Sequence, residues 1–349
     1  MLNGQLNRWL RTIHIKWSCS IIFVSLTSLL LSQDPVFSQY YVAPIHLNSA
    51  FAGNVAYPNF AANYRLQWPG VSNVYKTYAL AYDQFLPEQN IGLGLTVLSD
   101  DQGQGTLKNT KFKGVISYVL RFNQDWQIKF GLGAGFVNSS LDWDKLIFFD
   151  QLDPQFGLVD VLGNPLISGE QRPAALSKSY LDLDFGMLLY NPKYYVGISL
   201  VHINSPYDGF LTEINSGTEK ELPVFMSLLA GYQIVIQKDN KGNPSTFISP
   251  NVLFARQAGF NQLNVGAYLQ KDVLFGGVWL RYTFENVDAL IFSFGVNING
   301  MRISYSYDLT SSSLGVATSQ GSHEIGISMG LRSLEKKVSK LNDCLSLFR

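Results

Sequence analysis

Apolar and polar residues alternate with a period of two along much of this chain. In "ALIFSFGVNI" (289–298), Leu290, Phe292, Phe294, Val296 and Ile298 share one face, and Ile291, Ser293, Gly295 and Asn297 the other. Asn299-Gly300 follows, a strong hairpin signal because both residues tolerate positive φ. The next strand, "MRISYSYD" (301–308), sets Met301, Ile303, Tyr305 and Tyr307 against Arg302, Ser304, Ser306 and Asp308. "HEIGISMGLR" (323–332) repeats the scheme. Earlier, Trp126, Ile128, Phe130, Leu132, Ala134 and Phe136 oppose Gln127, Lys129, Gly131, Gly133 and Gly135. Period two puts each set on one side of a sheet.

About fourteen such strands are expected between 60 and 332. Their length and their aromatic ends separate a membrane barrel from a soluble sandwich. Many run ten residues or longer, as a tilted membrane strand requires. Trp68, Trp126, Tyr190, Tyr194, Tyr282, Tyr305 and Tyr307 stand near strand ends, where an interfacial girdle belongs. The connections agree. The second, fourth, sixth, tenth and twelfth are tight ("LPEQN", "NQD", "NP", "KD", "NG"), whereas the long ones (140–176, 203–221 and 309–321) are all odd-numbered. That parity predicts short periplasmic turns and long external loops. The expected fold class is therefore all-β: a transmembrane antiparallel barrel of about fourteen strands.

The polar face then becomes a candidate lumen lining, holding Arg65, Asp83, Lys129, Asp182, Asp184, Arg281, Arg302, Asp308, Glu324 and Arg332. Mixed charges on facing strands persist when they pair. The same lining would suit a polypeptide or plug, and glycines on that face leave room for one.

Composition sharpens the class. The 349 residues carry zero formal net charge, 15% charged residues, 13% aromatics and 30 glycines. Soluble domains average about a quarter charged residues. Neutral charge gives no footprint for nucleic acid. Arg8, Arg11 and Lys16 precede the apolar run "SIIFVSLTSLLLS" (20–32), which reads as a signal peptide over 1–32, cleaved after Ser32. The alternative is an uncleaved anchor helix. Cys19 lies before the apolar run, so acylation there is not indicated, and Cys344 would be the lone cysteine of the mature chain. The expected organisation is thus 1–32 signal, 33–59 an N-terminal segment at the periplasmic mouth or plugging the lumen, 60–332 the barrel, and 333–349 a periplasmic tail.

Motifs for chemistry are weak. "GLGLT" (92–96) and "GLGAG" (131–135) sit inside strands with no following helix, so a phosphate loop fails its context. His46, His202 and His323 lack ligand spacing, and Ser199 with His202 makes no nucleophile–base pair. "SDDQGQG" (99–105) reads as an external turn in preference to a cation loop. No enzyme activity, metal or cofactor is expected.

The stretch "DPVFSQYYVAPIHLNSAFAG" (34–53) resembles the N-terminal signature of the PorP/SprF family, outer-membrane proteins of type IX secretion and gliding in Bacteroidetes. "YRLQWPG" (64–70), "YDQ" (82–84), "IGLGLTVLSDDQG" (91–103), "DLDFGMLLY" (182–190), "YYVGISLVHINSP" (194–206), "YSYDLTSSSLG" (305–315) and "SHEIGISMGL" (322–331) follow in family order. Ser49 departs from a common proline, and the tail after 332 runs past the last strand. The resemblance implies a non-enzymatic barrel in the outer membrane of a Gram-negative bacterium. Such a barrel helps large adhesin-like cargo with a C-terminal sorting domain reach or stay on the surface. Its implied partners are that cargo, periplasmic components of the machine and outer-membrane lipid. Asp34, Pro35, Phe37, Gln39, Tyr40, Asn48 and Gly53, with Tyr41, are then candidate docking or gating residues, or equally parts of a structural plug. The rival readings are a diffusion channel or hydrophobic-solute transporter and a purely structural outer-membrane anchor bridging envelope components.

Overall fold

The computed structural model describes residues 34–348 except 56, 72–73, 124, 211–220, 240–241, 243, 285, 299, 312–314 and 332–343. The expected signal peptide and Arg332 therefore lie outside the described residues. One antiparallel sheet carries the fold: β1 (Asn59–Gln67), β2 (Tyr75–Leu86), β3 (Ile91–Gln102), β4 (Leu107–Arg121), β5 (Gln127–Leu141), β6 (Ser177–Tyr190), β7 (Tyr194–Val201), β8 (Phe225–Tyr232), β9 (Ile234–Lys238), β10 (Pro244–Gln257), β11 (Phe260–Lys271), β12 (Leu274–Tyr282), β13 (Val287–Ile298), β14 (Met301–Thr310) and β15 (Ser322–Gly330). β8 and β9 both pair with β10 and are interrupted only at Gln233, so they form one stave and the barrel has fourteen. β1 pairs with β15 along its whole length, and β10 with β11, which closes the sheet.

Closure answers the demand of a hydrocarbon solvent that every backbone N–H and C=O be paired within the protein. The alternation then dictates an inverted distribution. Phe136, Phe294 and Leu132 point outward and are 66%, 62% and 58% exposed, while Arg65, Lys129 and Glu324 are buried inside. On the outer face Val97, Phe112, Phe136 and Leu181 stand in register across β3–β6. The next row toward the long loops is Ser99, Thr110, Asn138 and Ser179, and the one after is Asp101, Lys108, Ser140 and Ser177. The apolar band therefore stops one row below two wholly polar ones, which marks its outer edge.

Long connections 142–176, 202–224 and 311–321 all leave from one end, and tight turns such as 191–193 and 272–273 from the other. Outer-membrane barrels carry long loops outside, so the first end is external. One expectation changes: Ser99–Gln102 belong to β3 rather than to a turn. The reason is that Asp100 faces inward, accepting from Thr77 Oγ1 (2.6 Å) and Gln102 Nε2 (2.8 Å), and the turn is delayed to Gly103–Thr106.

The inversion is testable. Leu132→Arg, in the middle of the outer band, should cost about 2–4 kcal/mol, and Asn138→Arg, in the first polar row, close to zero. Reversible urea unfolding in lipid vesicles reads both.

Candidate functional site

The lumen is occupied by the chain's own residues 34–55, which run from the external end down to the periplasmic end before entering β1. Local chemistry shapes this segment. Pro44 begins a short 3-10 turn, Pro44–His46, with its φ already set. Asn48 caps a second turn, Ser49–Phe51, its Oδ1 accepting from Ala50 N–H at 2.8 Å. From Phe37 to Val55 nearly every residue is buried.

At the external end, the Asp34 carboxylate accepts from Lys111 Nζ, from His202 Nε2 (2.5 Å) and from Gln257 Nε2 (3.0 Å). Asp34 N–H donates to Gln257 Oε1 at 2.8 Å. The other ring nitrogen of His202 lies 2.7 Å from Asp182. An imidazole between two carboxylates donates from both nitrogens only as the cation. Burial alone would lower the His202 pKa, but Asp34 and Asp182 outweigh it and push it up to about 9. Burial likewise opposes ionisation of Asp34, yet Lys111 and His202 hold its carboxyl well below the ordinary 3.8.

Below this latch, Ser38 sits in a balanced set of two arginines and two acids. Its hydroxyl accepts from Arg65 Nη1 and Arg281 Nη2, both at 2.7 Å, and donates to Asp308 at 2.7 Å. Asp308 takes Arg65 Nη2 at 2.9 Å and Arg281 Nη1 at 3.0 Å. Glu324 accepts the backbone N–H of Ser38 (2.9 Å) and Gln39 (3.0 Å), along with Arg65 at 3.2 Å. Gln39 Nε2 returns a bond to the Glu324 carbonyl. The plug thus uses carboxylates of the wall as acceptors for its own backbone donors, which a buried non-helical segment must find somewhere.

An aromatic cradle follows. Tyr41 stacks on Trp279 (5.7 Å, 21°), meets Tyr268 edge-on and donates to Ser293 at 2.9 Å. The Tyr40 hydroxyl and the Trp279 indole N–H both donate to Asn251 Oδ1. Farther down, backbone touches backbone. A Cβ on Gly131 would lie 2.3 Å from Ala50 N, and one on Gly186 would lie 2.1 Å from Asn48 Oδ1, so only glycine lets the second turn seat against β5 and β6. Asn48 Nδ2 donates to the Ile198 carbonyl at 3.0 Å. Lys129 Nζ donates to the Ala52 and Gly53 carbonyls, Asn54 N–H to Asp83, and Gly53 holds φ +64.

Of the residues singled out in the sequence, Gln39 meets Glu324 and Gly53 meets Lys129 directly, and Asp34 reaches Asp182 through His202. Tyr40 and Asn48 bond Asn251 and the Ile198 carbonyl instead, while Arg65, Arg281 and Asp308 converge on Ser38 and Asp83 on Asn54. Pro35 and Phe37 border a cavity beside Lys111 and Leu98. Asp184 pairs with Lys113. Arg302 serves differently: its Nη1 donates to the Leu347 carbonyl at 2.6 Å. Residues Leu345–Phe348, expected in a periplasmic tail, form a buried 3-10 turn at the periplasmic end of the lumen. There Phe348 packs on Phe51 (4.6 Å) and Tyr195 (5.2 Å).

His202, Lys111, Trp279 and Ser38 escape sequence reasoning. Lys111 and Lys113 do alternate with Phe112 in "LKNTKFKG", a signal for two more inward charges. Nothing local marks His202, which lies just past β7 at φ +62.

The latch has a pH window. A histidine raised above its ordinary value stabilises below that value and stops doing so as pH rises through its folded pKa. A carboxylate held low stabilises above its ordinary value and fails as pH falls. Pro35→Cys, in a Cys344→Ser background, should therefore resist an impermeant thiol reagent at neutral pH and react faster as pH passes about 9. Rates are taken relative to a cysteine at exposed Gln155. In His202→Gln the site should label rapidly throughout.

The family model for the type IX secretion system membrane protein PorP/SprF matches residues 30–329. The chain belongs to that family, and it is an outer-membrane β-barrel protein. Among solved structures it is similar to the toluene transporter TbuX of Ralstonia pickettii, at 10% identity and TM-score 0.49, over 82% of this chain and 92% of that one. It is also similar to the monoaromatic hydrocarbon channel CymD, at 12% identity and TM-score 0.41, over 85% and 93%. The toluene transporter TodX of P. putida gives 9% and 0.43 over 84% and 94%. A search of curated protein sequences gave no match.

Proposed function

We propose that this type IX secretion membrane protein assists large exported proteins bearing a C-terminal sorting domain. In this reading it holds them at the cell surface or helps them reach it. It acts as a non-enzymatic barrel together with periplasmic components of the machine. The observation that carries the reading is the filled lumen. An open diffusion pore needs a water path, whereas here wall carboxylates, arginines and rings are committed to the chain's own segment 34–55. Sites bound by that many separate contacts favour a held element that a partner engages over a passive passage.

Within this reading Asp34, Pro35, Phe37, Gln39, Tyr40, Asn48 and Gly53 form the gating element. Its outermost hold is the Asp34 latch to Lys111 and His202, the first contact to be broken when release begins from outside. Buried aromatic anchors serve recognition as well as packing.

A reversible staple tests the gate. A Cβ on Gly326 would sit 2.8 Å from Val42 Cγ2, close enough for a disulfide between cysteines there. Val42→Cys/Gly326→Cys, in a Cys344→Ser background, should abolish surface display of exported proteins under oxidising conditions and regain it with reductant. Normal display with the staple closed would make the segment a structural plug. Undiminished display in a strain lacking the barrel, together with solute flux through purified barrels in liposomes, would replace the reading with a channel.

A further inference from the structure

The external loop between β5 and β6 presents an apolar surface that neither the barrel nor its lumen uses. Phe149 and Ile167 are each 91% exposed, Leu162 83% and Val161 74%, with Ile147 and Phe156 also turned to solvent. So many large apolar side chains turned to solvent on one loop are uncommon in a protein with no partner there.

The loop is built rather than loose. Its stem is tied by Leu141 N–H to the Leu176 carbonyl (2.8 Å) and Asp142 N–H to the Thr106 carbonyl (2.8 Å). Trp143 packs on Phe148 at 4.8 Å. A short ribbon pairs Val159 with Pro165, with Asp160 N–H donating to the Asn164 carbonyl and Leu166 N–H to that of Leu158. The Asp150 side chain accepts from Gly169 N–H and the Ser168 hydroxyl, cross-linking the two arms. Val161 and Leu162 are thereby held at a ribbon tip, so the ordering that binding demands is already done.

Lipid does not fit this surface. Two polar rows, Ser99–Thr110–Asn138–Ser179 and Asp101–Lys108–Ser140–Ser177, separate it from the apolar band. Residues 142–172 also carry Asp142, Asp144, Asp150, Asp153, Asp160 and Glu170 against only Lys145 and Arg172. N–H donors hold the Asp150 and Asp160 carboxyls below their ordinary values, so both are anionic at neutral pH. A phosphate-bearing leaflet would repel such a loop. A second copy docked face to face would set acid against acid.

We propose that loop 142–176 is the docking surface for the exported protein, which meets it through a patch that is apolar at its centre and basic at its rim. This rests on the reading of the barrel as a surface-retention component and names the part of it that touches cargo. A net acidic loop that also exposes apolar side chains steers a basic, partly apolar partner and rejects anionic surfaces.

Photo-crosslinking amino acids placed at Phe149, Leu162 and Ile167 in intact cells test it, with Phe136 in the lipid band as the reference position. The expected product from the loop positions is one exported protein, the same protein that disappears from the surface of cells lacking the barrel. Crosslinks to lipopolysaccharide, to a second copy of the barrel, or to nothing would each overturn the proposal. In parallel, Phe149→Ser/Leu162→Ser/Ile167→Ser should lower surface retention of that protein by about tenfold or more, as loss of central interface anchors does. Heat-modifiable migration on gels confirms that the variant barrel is folded. Retention lost in the deletion strain but intact in the triple variant sinks the docking surface alone. Retention intact in both sinks the reading beneath it.

Discussion

Every feature of this protein depends on one constraint: in hydrocarbon, a strand's backbone groups have only other strands to pair with. The first strand must therefore find the last, and β1 does so with β15 from Asn59↔Gly330 to Gln67↔Ser322. Once the sheet is closed, its alternating residues have fixed destinations. Large apolar side chains meet lipid, and polar ones are turned into an enclosed space where they need partners as much as any core residue would.

The N-terminal segment supplies those partners. Arg65 and Arg281 against Asp308 and Glu324 would be a costly buried group by themselves, since desolvation can exceed the attraction between the pairs. Ser38 and Gln39 complete the set, and the wall acids satisfy backbone donors of the plug in return. Inward glycines such as Gly131 and Gly186 are the geometric counterpart: they bring strand backbone within reach of the second turn. The lining and the plug are one polar core divided between two parts of the chain.

The two ends of the lumen differ in kind. The periplasmic end is closed by rings, Phe348 against Phe51 and Tyr195, and by side chains donating to backbone carbonyls, Asn54 to Phe348, Arg302 to Leu347 and Lys129 to Ala52 and Gly53. The external end is closed by charge, through Asp34, Lys111, His202 and Asp182. Ion pairs that include a histidine respond to pH and salt, whereas packed rings and cations bonded to neutral carbonyls respond far less. The end that responds is the one beside the loops that face the outside of the cell.

The fold was legible in the sequence because its signals are local. Period-two alternation, Asn299-Gly300 and the parity of loop lengths each need only a few neighbouring residues, and together they specify strands, faces and sidedness. Alternation also divides the residues of each strand between two faces. Which residues meet across the lumen was not readable. Ser38 and Glu324 are 286 positions apart, and Asp34 and His202 are 168 apart. Such distances are set by closure and by the path of the plug, neither of which leaves a periodic trace. His202 gained its charge from two carboxylates placed there by tertiary contacts, and Leu345–Phe348 found the lumen although nothing in their spacing points inward. Alternation decided the wall; only the folded chain decided what fills it.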